Sequence, residues 1–136
     1  MPGRLATELH RAVRSGAADG TVVRMGSLAG HRDFVDVRDI ARSVVTAART
    51  PARLPRIINI GSGRARPVRA IAEGLVAASR YGGTVAENGP GSARSAGVAW
   101  QQADISRAGR APGWQPGITL AQGLHDLWRA TGAGQD

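Results

Sequence analysis

A ten-residue segment concentrates the side chains that could do chemistry. It contains one histidine, two arginines and three aspartates in the order His31-Arg32-Asp33-Phe34-Val35-Asp36-Val37-Arg38-Asp39-Ile40. Because histidine titrates near neutral pH, His31 is a candidate general acid or base. Asp36 and Asp39 stand at the start of a predicted helix, where carboxylates accept backbone N–H groups. Asp33 precedes this cap and is the carboxylate left free for a catalytic role, unless it is a solvated acid or pairs with an arginine.

Other candidate residues lie next to predicted turns. Ser62 and Arg64 follow the end of a predicted strand, a common position for ligand binding, although a structural turn would explain the same residues. Trp100 flanks a stretch over 87–97 rich in Gly, Ser and Ala, which predicts a mobile loop, so Trp100 could line a pocket or pack in the core. The remaining two histidines have no acid or histidine four residues further on, and cysteine is absent, so no metal site is predicted.

The spacing of apolar residues predicts the elements that must position these side chains. The pattern indicates strands over 21–25, 56–60 and 84–86, and helices over 5–14, 37–49, 67–76 and 104–110 and from Thr119 onward. The helix over 37–49 carries one apolar face, predicted to be buried, at Val37, Ile40, Ala41, Val44, Val45 and Ala48. We therefore expect an α/β (α+β) fold with a small sheet of short strands and about five helices. One domain is predicted over 1–130, with a frayed tail over 131–136.

Composition and charge exclude several classes of protein. The chain has 136 residues, of which 42% are hydrophobic, with no apolar run near the ~20 residues of a membrane span. The N-terminus lacks the apolar core of a signal peptide, so a cytoplasmic protein with no membrane contact is expected. The net charge is +8, and all 18 residues counted as Lys+Arg are arginines. They are scattered and aromatic residues are few, so we do not expect nucleic acid as a partner.

Six short motifs follow one another along the chain. They are Pro2-Gly3, Val23-Arg24-Met25-Gly26-Ser27-Leu28, Arg32 to Asp39, Ile58-Asn59-Ile60-Gly61-Ser62-Gly63, Ala103-Asp104-Ile105-Ser106 and Gly113-Trp114-Gln115-Pro116. Their types and order resemble the C-terminal, substrate-side half of an extended short-chain dehydrogenase/reductase of the NAD-dependent epimerase/dehydratase family. The branch they resemble most is that of GDP-mannose 4,6-dehydratase and GDP-4-keto-6-deoxymannose reductase. The resemblance implies that this chain has the fold of the substrate domain of that family and does not include the Rossmann domain.

The resemblance also implies two phosphate contacts. Arg32 resembles the family arginine that reaches the diphosphate of a nucleotide sugar, a task suited to the planar guanidinium fork. Arg94 lies ten residues before Asp104, which is the spacing of a second family arginine, although the acid and prolines of that family segment are missing here. An ion pair for Arg32 and a solvated loop for Arg94 are the alternatives. With these two arginines, Ser62, Arg64 and Trp100 complete the predicted substrate site.

The family's redox machinery is missing from the sequence. That chemistry uses a Tyr-x-x-x-Lys pair, in which lysine lowers the pKa of the tyrosine. Tyr81 is the only tyrosine here, and it is followed by Gly82-Gly83-Thr84-Val85. The dinucleotide-binding Gly-x-x-Gly-x-x-Gly turn after an N-terminal strand is also absent, since Gly61-Ser62-Gly63 lacks the third glycine. We therefore expect no nicotinamide or other cofactor.

Two classes of function fit these observations. The first is a cofactor-independent enzyme that performs a non-redox step (a cyclisation, elimination or isomerisation) in secondary metabolism, with His31 and Asp33 as catalytic residues. The second is a nucleotide-sugar-binding module, or half of a split sugar-nucleotide dehydratase or epimerase. Because the apolar surface facing a Rossmann domain would be open, a homo-oligomer or a separate Rossmann-type subunit is the expected partner. A natural short protein, an active fragment and an inactive remnant all fit the sequence.

Overall fold

The computed structural model describes residues 2–16, 22–88 and 98–133. These residues form five helices and four short strands in the order α1 (Pro2–Arg14), β1 (Val22–Met25), β2 (His31–Asp33), α2 (Val37–Arg49), β3 (Ala65–Pro67), α3 (Arg69–Ser79), β4 (Thr84–Glu87), α4 (Ser106–Arg110) and α5 (Leu120–Ala133). The strands pair as two two-stranded sheets, β1 with β4 and β2 with β3. The predicted α/β class with five helices and short strands is confirmed.

The predicted single domain contains two compact units. The first unit comprises the described parts of 1–30, 67–99 and 121–136, and the second comprises 31–66 and 100–120. None of the helices within the described ranges is long and apolar enough to cross a membrane.

In the first unit, helices pack beside a parallel strand pair. β1 and β4 run parallel, with Val22 opposite Thr84. The apolar residues of α1 and α3 recur every three or four positions, which places them on one side of each helix. Leu5, Leu9, Ile71 and Leu75 are at most 1% exposed and form the centre of this core.

Helix α5 contacts both of these helices closely. A Cβ on Gly74 of α3 would lie 2.5 Å from a methyl carbon of Leu124, so the absence of a side chain lets α3 and α5 approach. On α1, the ring of His10 stacks on Trp128 at 3.5 Å between centroids. The His10 ring nitrogen Nε2 also lies 2.9 Å from the Trp128 carbonyl oxygen. α5 continues through Thr131 to Ala133, beyond the predicted start of the tail.

In the second unit, α2 has the predicted bounds. Asp36 is its N-cap, because the Asp36 carboxylate accepts a hydrogen bond from the Arg38 N–H at 2.9 Å. The helix ends at Arg49, and Thr50 and Pro51 follow in non-helical conformation. The local cap and breaker signals are therefore sufficient to define this helix.

The predicted orientation of α2 is wrong. Its apolar residues are exposed, as shown by Val37 at 74%, Val44 at 64% and Val45 at 48%. The buried residues of this helix are the polar ones, Asp39 and Ser43. The buried side of α2 is thus the side that contacts the loop over 114–118, described below, and the apolar stripe is left outside.

The predicted strand over 56–60 is also wrong. This segment has no strand assignment, and the Ile57 side chain is 69% exposed. Its backbone makes no backbone–backbone hydrogen bond to another part of the chain within the described ranges. A strand needs a hydrogen-bonding neighbour, and the described residues supply none for this apolar segment.

Candidate functional site

The Asp33 carboxylate lies at the end of β2 and is surrounded by hydrogen-bond donors. One oxygen accepts the Ser62 N–H at 2.7 Å and the Ser62 hydroxyl at 2.6 Å. The other oxygen accepts the Gly63 N–H at 2.9 Å and the Ala103 N–H at 3.0 Å. The prediction that Asp33 is left free is therefore wrong, because two segments distant in sequence direct four donors at it.

These donors also determine the ionisation of Asp33. Burial raises the pKa of the carboxyl, but the hydrogen bonds from the Ser62 hydroxyl and from the backbone of Ala103, Ser62 and Gly63 together lower the pKa below its usual value. Donors that satisfy the charged form favour it over the neutral acid. The Asp33 carboxylate thus acts as an internal anion that holds the turn over 61–63 against the segment at Ala103.

Close packing explains the two glycines of this turn. A Cβ on Gly61 would lie 2.6 Å from the Ala103 Cβ and 2.9 Å from an Asp33 carboxylate oxygen. Gly63 has a φ of +69°, which L-residues with a side chain rarely adopt. The Ser62 hydroxyl, which is bonded to Asp33, also lies 3.2 Å from the Arg64 N–H and carbonyl oxygen. The constrained backbone of this turn therefore fixes the position of the Arg64 backbone.

Asp39 holds a second segment in the same way. Its side chain is fully buried, and one oxygen accepts the N–H groups of Gly117 and Ile118 at 3.0 and 2.9 Å. The other oxygen pairs with the Arg42 guanidinium at 2.7 Å. The predicted role of Asp39 in capping its own helix is wrong, because the carboxylate binds the loop that follows Trp114 instead.

Trp114 and Arg42 complete the attachment of this loop. The Trp114 indole N–H donates to the Asp39 carbonyl oxygen at 3.1 Å, and the Trp114 side chain is 2% exposed. Arg42 also donates to the Gln115 carbonyl oxygen at 2.7 Å. A buried indole with its N–H satisfied is a stable anchor for a loop.

The turn and the loop both line one open cavity of about 620 Å³ in the second unit. This volume is within the range of small-molecule sites. Its lining residues are Phe34, Ser62, Gly63, Arg64, Arg66, Ile105, Ser106, Gly109, Trp114, Gln115, Pro116, Gly117, Ile118, Thr119 and Leu120. Asp33 and Asp39, from one short sequence segment, therefore position two parts of the cavity wall.

The cavity is cationic. Arg64 and Arg66 are exposed and belong to its lining, and no described residue of that lining is an aspartate or a glutamate. Neither guanidinium has an ion-pair partner within residues 2–16, 22–88 and 98–133. Two such cations in a concave site favour an anionic ligand, and paired N–H donors suit phosphate oxygens.

The predicted site residues do not all lie at this cavity. Ser62 and Arg64 line it together, whereas His31 and Arg32 are not part of its lining. His31 is exposed on β2, and an Arg32 guanidinium nitrogen donates to the His31 carbonyl oxygen at 2.8 Å. Trp100 lines a smaller neighbouring cavity, and at 59% exposure it is not a core residue. Arg94 lies outside the described residues.

Sequence reasoning missed Arg66 and the wall over 115–119. Arg66 lies on β3 and Arg64 directly precedes that strand, and along extended backbone side chains two residues apart point to the same side. This spacing was the available signal for Arg66. No local pattern could place the loop over 115–119, because its attachment depends on Asp39, more than 70 positions away.

Comparison with known proteins shows which proteins this chain is similar to. The family model described as "NAD dependent epimerase/dehydratase family" matches residues 1–61. The resemblance predicted from the motifs is thereby confirmed, with a fold of the epimerase/dehydratase type.

Two curated relatives and one solved structure show the extent of the similarity. The chain is 37% identical over 125 residues to "Putative GDP-L-fucose synthase 2" from Oryza sativa subsp. japonica, covering 92% of this chain and 34% of that protein. It is 30% identical over 128 residues to "dTDP-6-deoxy-L-talose 4-dehydrogenase (NAD(P)(+))" from Kitasatospora kifunensis, covering 94% of this chain and 39% of that protein. The structure of RMD from Pseudomonas aeruginosa complexed with NADPH matches this chain with a TM-score of 0.81 at 18% sequence identity. The match covers 98% of this chain and 42% of that protein. The chain thus spans less than half the length of these proteins.

Proposed function

We propose that this chain binds a nucleotide sugar, with the diphosphate at Arg64 and Arg66. The observation that carries the proposal is the cavity of about 620 Å³, whose lining, in the part of the chain that the structure describes, has two arginines without an ion-pair partner and no carboxylate. A diphosphate carries two negative charges at neutral pH, and it can accept paired hydrogen bonds from each guanidinium. The names of both curated relatives refer to sugars attached to a nucleoside diphosphate, which supports the same ligand class.

The rest of the cavity suits the uncharged part of such a ligand. Phe34, Ile118 and Leu120 contribute apolar surface, and Ser62 contributes a hydroxyl. A pocket of apolar walls with a few polar groups is the usual environment of a bound sugar or base. The backbone of the loop is held by the buried Asp39 carboxylate, so little ordering is needed when the ligand binds.

Binding has more support than the non-redox catalysis that the sequence also allowed. That reaction was expected to use His31 and Asp33. The Asp33 carboxylate already accepts four hydrogen bonds, and its lowered pKa makes it a weak base. His31 is not part of the cavity lining. A cyclisation, elimination or isomerisation at this cavity would therefore need other groups.

Calorimetric titration tests the proposed ligand class. We expect GDP-mannose or dTDP-glucose to bind to the wild-type chain and Arg64→Ala or Arg66→Ala to weaken binding about 10-fold or more, since a charge-assisted contact is worth about 1.5–3 kcal/mol. Arg53→Ala is the matched control, because Arg53 is exposed in the same unit and does not line the cavity. No binding of either nucleotide sugar, or equal losses in the control, would contradict the proposal. Tight binding of NADH would contradict the expected absence of a cofactor site.

We further propose that the exposed apolar face of α2 is covered by a protein, either a second copy or a separate Rossmann-type subunit. The support is the cluster of exposed aliphatic side chains at Val37, Ile40, Val44 and Val45. Contiguous apolar surface of this kind is typical of interaction sites. Light scattering at increasing concentration tests self-association, and Val44→Glu is expected to reduce it while Val13→Glu, on α1, leaves it unchanged. A monomer at every concentration would contradict the homo-oligomer and favour the separate subunit.

A further inference from the structure

Trp100 is a large aromatic residue held in an exposed position by ordered backbone. It forms a β-bridge with His31, and the next residue, Gln101, donates its N–H to the His31 carbonyl oxygen at 3.0 Å. The Trp100 side chain is nevertheless 59% exposed. The ordered backbone thus places a largely exposed indole, with its flat apolar face, at this edge, and such a face is a surface on which flat ligands stack.

The surroundings of Trp100 form a second cavity of about 410 Å³ in the same unit. Its lining residues are Gly63, Trp100, Gln102, Ala103, Asp104, Ile105 and Ser106. Three of these, namely Gly63, Ile105 and Ser106, also line the larger arginine-containing cavity. The two cavities are therefore neighbours that share part of one wall. Gln102 stabilises that wall by donating to the Gly63 carbonyl oxygen at 2.8 Å.

The two cavities differ in charge. Among the described residues, the larger one is lined by Arg64 and Arg66 and by no carboxylate, whereas the smaller one is lined by the exposed Asp104 carboxylate and by no arginine. A phosphate group is attracted to the first and repelled by the second. An elongated ligand with one anionic part and one flat uncharged part is thus oriented with its anionic part at the arginines.

We infer that Trp100 stacks on the nucleobase of the bound ligand, which rests on the nucleotide-sugar binding proposed above. Every nucleobase has a flat π face, and stacking on an aromatic side chain is worth about 1–3 kcal/mol per base. The shared wall at Gly63 allows the same molecule to contact Trp100 with its base and Arg64 with its diphosphate. The sugar of the nucleotide sugar then has the remainder of the larger cavity, beside Phe34 and Ile118.

Two kinds of probe separate this inference from the proposed function. GDP-mannose carries a base and a diphosphate, whereas inorganic pyrophosphate carries only the anionic part. In calorimetry, Trp100→Leu is expected to weaken GDP-mannose binding about 10- to 100-fold and to leave pyrophosphate binding unchanged. Trp100→Phe keeps an aromatic face and is expected to restore binding to within about 3-fold of the wild-type chain. Unchanged pyrophosphate affinity also shows that each variant is folded.

Intrinsic fluorescence provides an independent readout. The chain has three tryptophans, of which Trp114 is 2% exposed and Trp128 is stacked on His10. GDP-mannose is expected to quench the emission of the wild-type chain. The quench is expected to be smaller in Trp100→Leu, where Trp114, which lines the larger cavity but is 2% exposed, remains. An unchanged quench would contradict the stacking role of Trp100.

The outcomes are distinct. Equal GDP-mannose affinity in the wild-type chain and in Trp100→Leu would overturn the stacking role of Trp100 while leaving the nucleotide-sugar site intact. If neither GDP-mannose nor pyrophosphate binds to the wild-type chain, the proposed function and this inference both fail. Weaker binding of both probes to Trp100→Leu would also overturn the inference, because Trp100 would then support the whole wall.

Discussion

Replacing Asp33 by asparagine tests the role of its carboxylate as an internal anchor. The substitution keeps the shape of the side chain but removes its charge. One asparagine oxygen can still accept two of the four hydrogen bonds, now without charge assistance, while the amide NH2 faces the other two N–H or O–H donors. Hydrogen bonds to charged groups contribute about 1.5–3 kcal/mol each, and neutral ones about 1. Because the site is partly open to water, we expect Asp33→Asn to lower the free energy of unfolding by about 3 kcal/mol at pH 7.

Urea unfolding followed by circular dichroism measures this difference. Glu73→Gln, an exposed carboxylate on α3, controls for loss of one charge and is expected to change stability by less than about 0.5 kcal/mol. An Asp33→Asn variant as stable as this control would refute the anchoring role.

The pH dependence gives a second test of the same carboxylate. The pKa of Asp33 is lowered in the folded chain, so its stabilising effect is complete above the ordinary value of 3.8 and is lost as pH falls through the lower folded value. The difference between the wild-type chain and Asp33→Asn is therefore expected to stay constant from pH 7 to about pH 5 and to shrink below pH 4. A difference that grows on acidification would contradict the lowered pKa.

Three further substitutions probe the two walls of the cavity. Gly61→Ala places a Cβ 2.6 Å from that of Ala103 and is expected to reduce stability by about 2 kcal/mol in urea unfolding, whereas no loss would show that the turn can move. Asp39→Ala removes a buried acceptor of two loop N–H groups and is expected to lower the free energy of unfolding by about 3 kcal/mol. It is also expected to change the near-ultraviolet circular dichroism spectrum, and an unchanged spectrum would contradict the role of Asp39 in holding the loop. Ser62→Ala removes one donor to Asp33 and is expected to raise the pKa of that carboxyl, which NMR titration of the side-chain carbon can measure; an unchanged titration would contradict the contact.

Local signals in the sequence were sufficient to predict individual elements. The bounds of α2 follow from Asp36 as an N-cap and from Pro51 after the last turn, both of which act within a few residues. Ser62 and Arg64 were identified as site residues because the glycine-containing turn over 61–63 is a local pattern, and they do line the cavity although residues 56–60 before the turn do not form the predicted strand.

Long-range contacts account for what the sequence did not reveal. Periodicity identifies an apolar face on α2, but it does not show whether that face is buried, and in this structure Asp39 and Ser43 lie on the buried side. The segment over 56–60 has the composition of a strand, yet a strand also requires a hydrogen-bonding neighbour. The donors to Asp33 come from positions 29 to 70 residues away, so no local pattern could indicate that this carboxylate is fully engaged.

Amide chemical-shift mapping of the 136-residue chain tests the central claim most directly. If the arginine-containing cavity binds a nucleotide sugar, GDP-mannose will shift the ¹⁵N–H resonances over 62–66 and 117–119 and leave those of β1 unmoved. Shifts confined to the first unit, or no shifts at millimolar ligand, would contradict the assignment of this cavity as the ligand site.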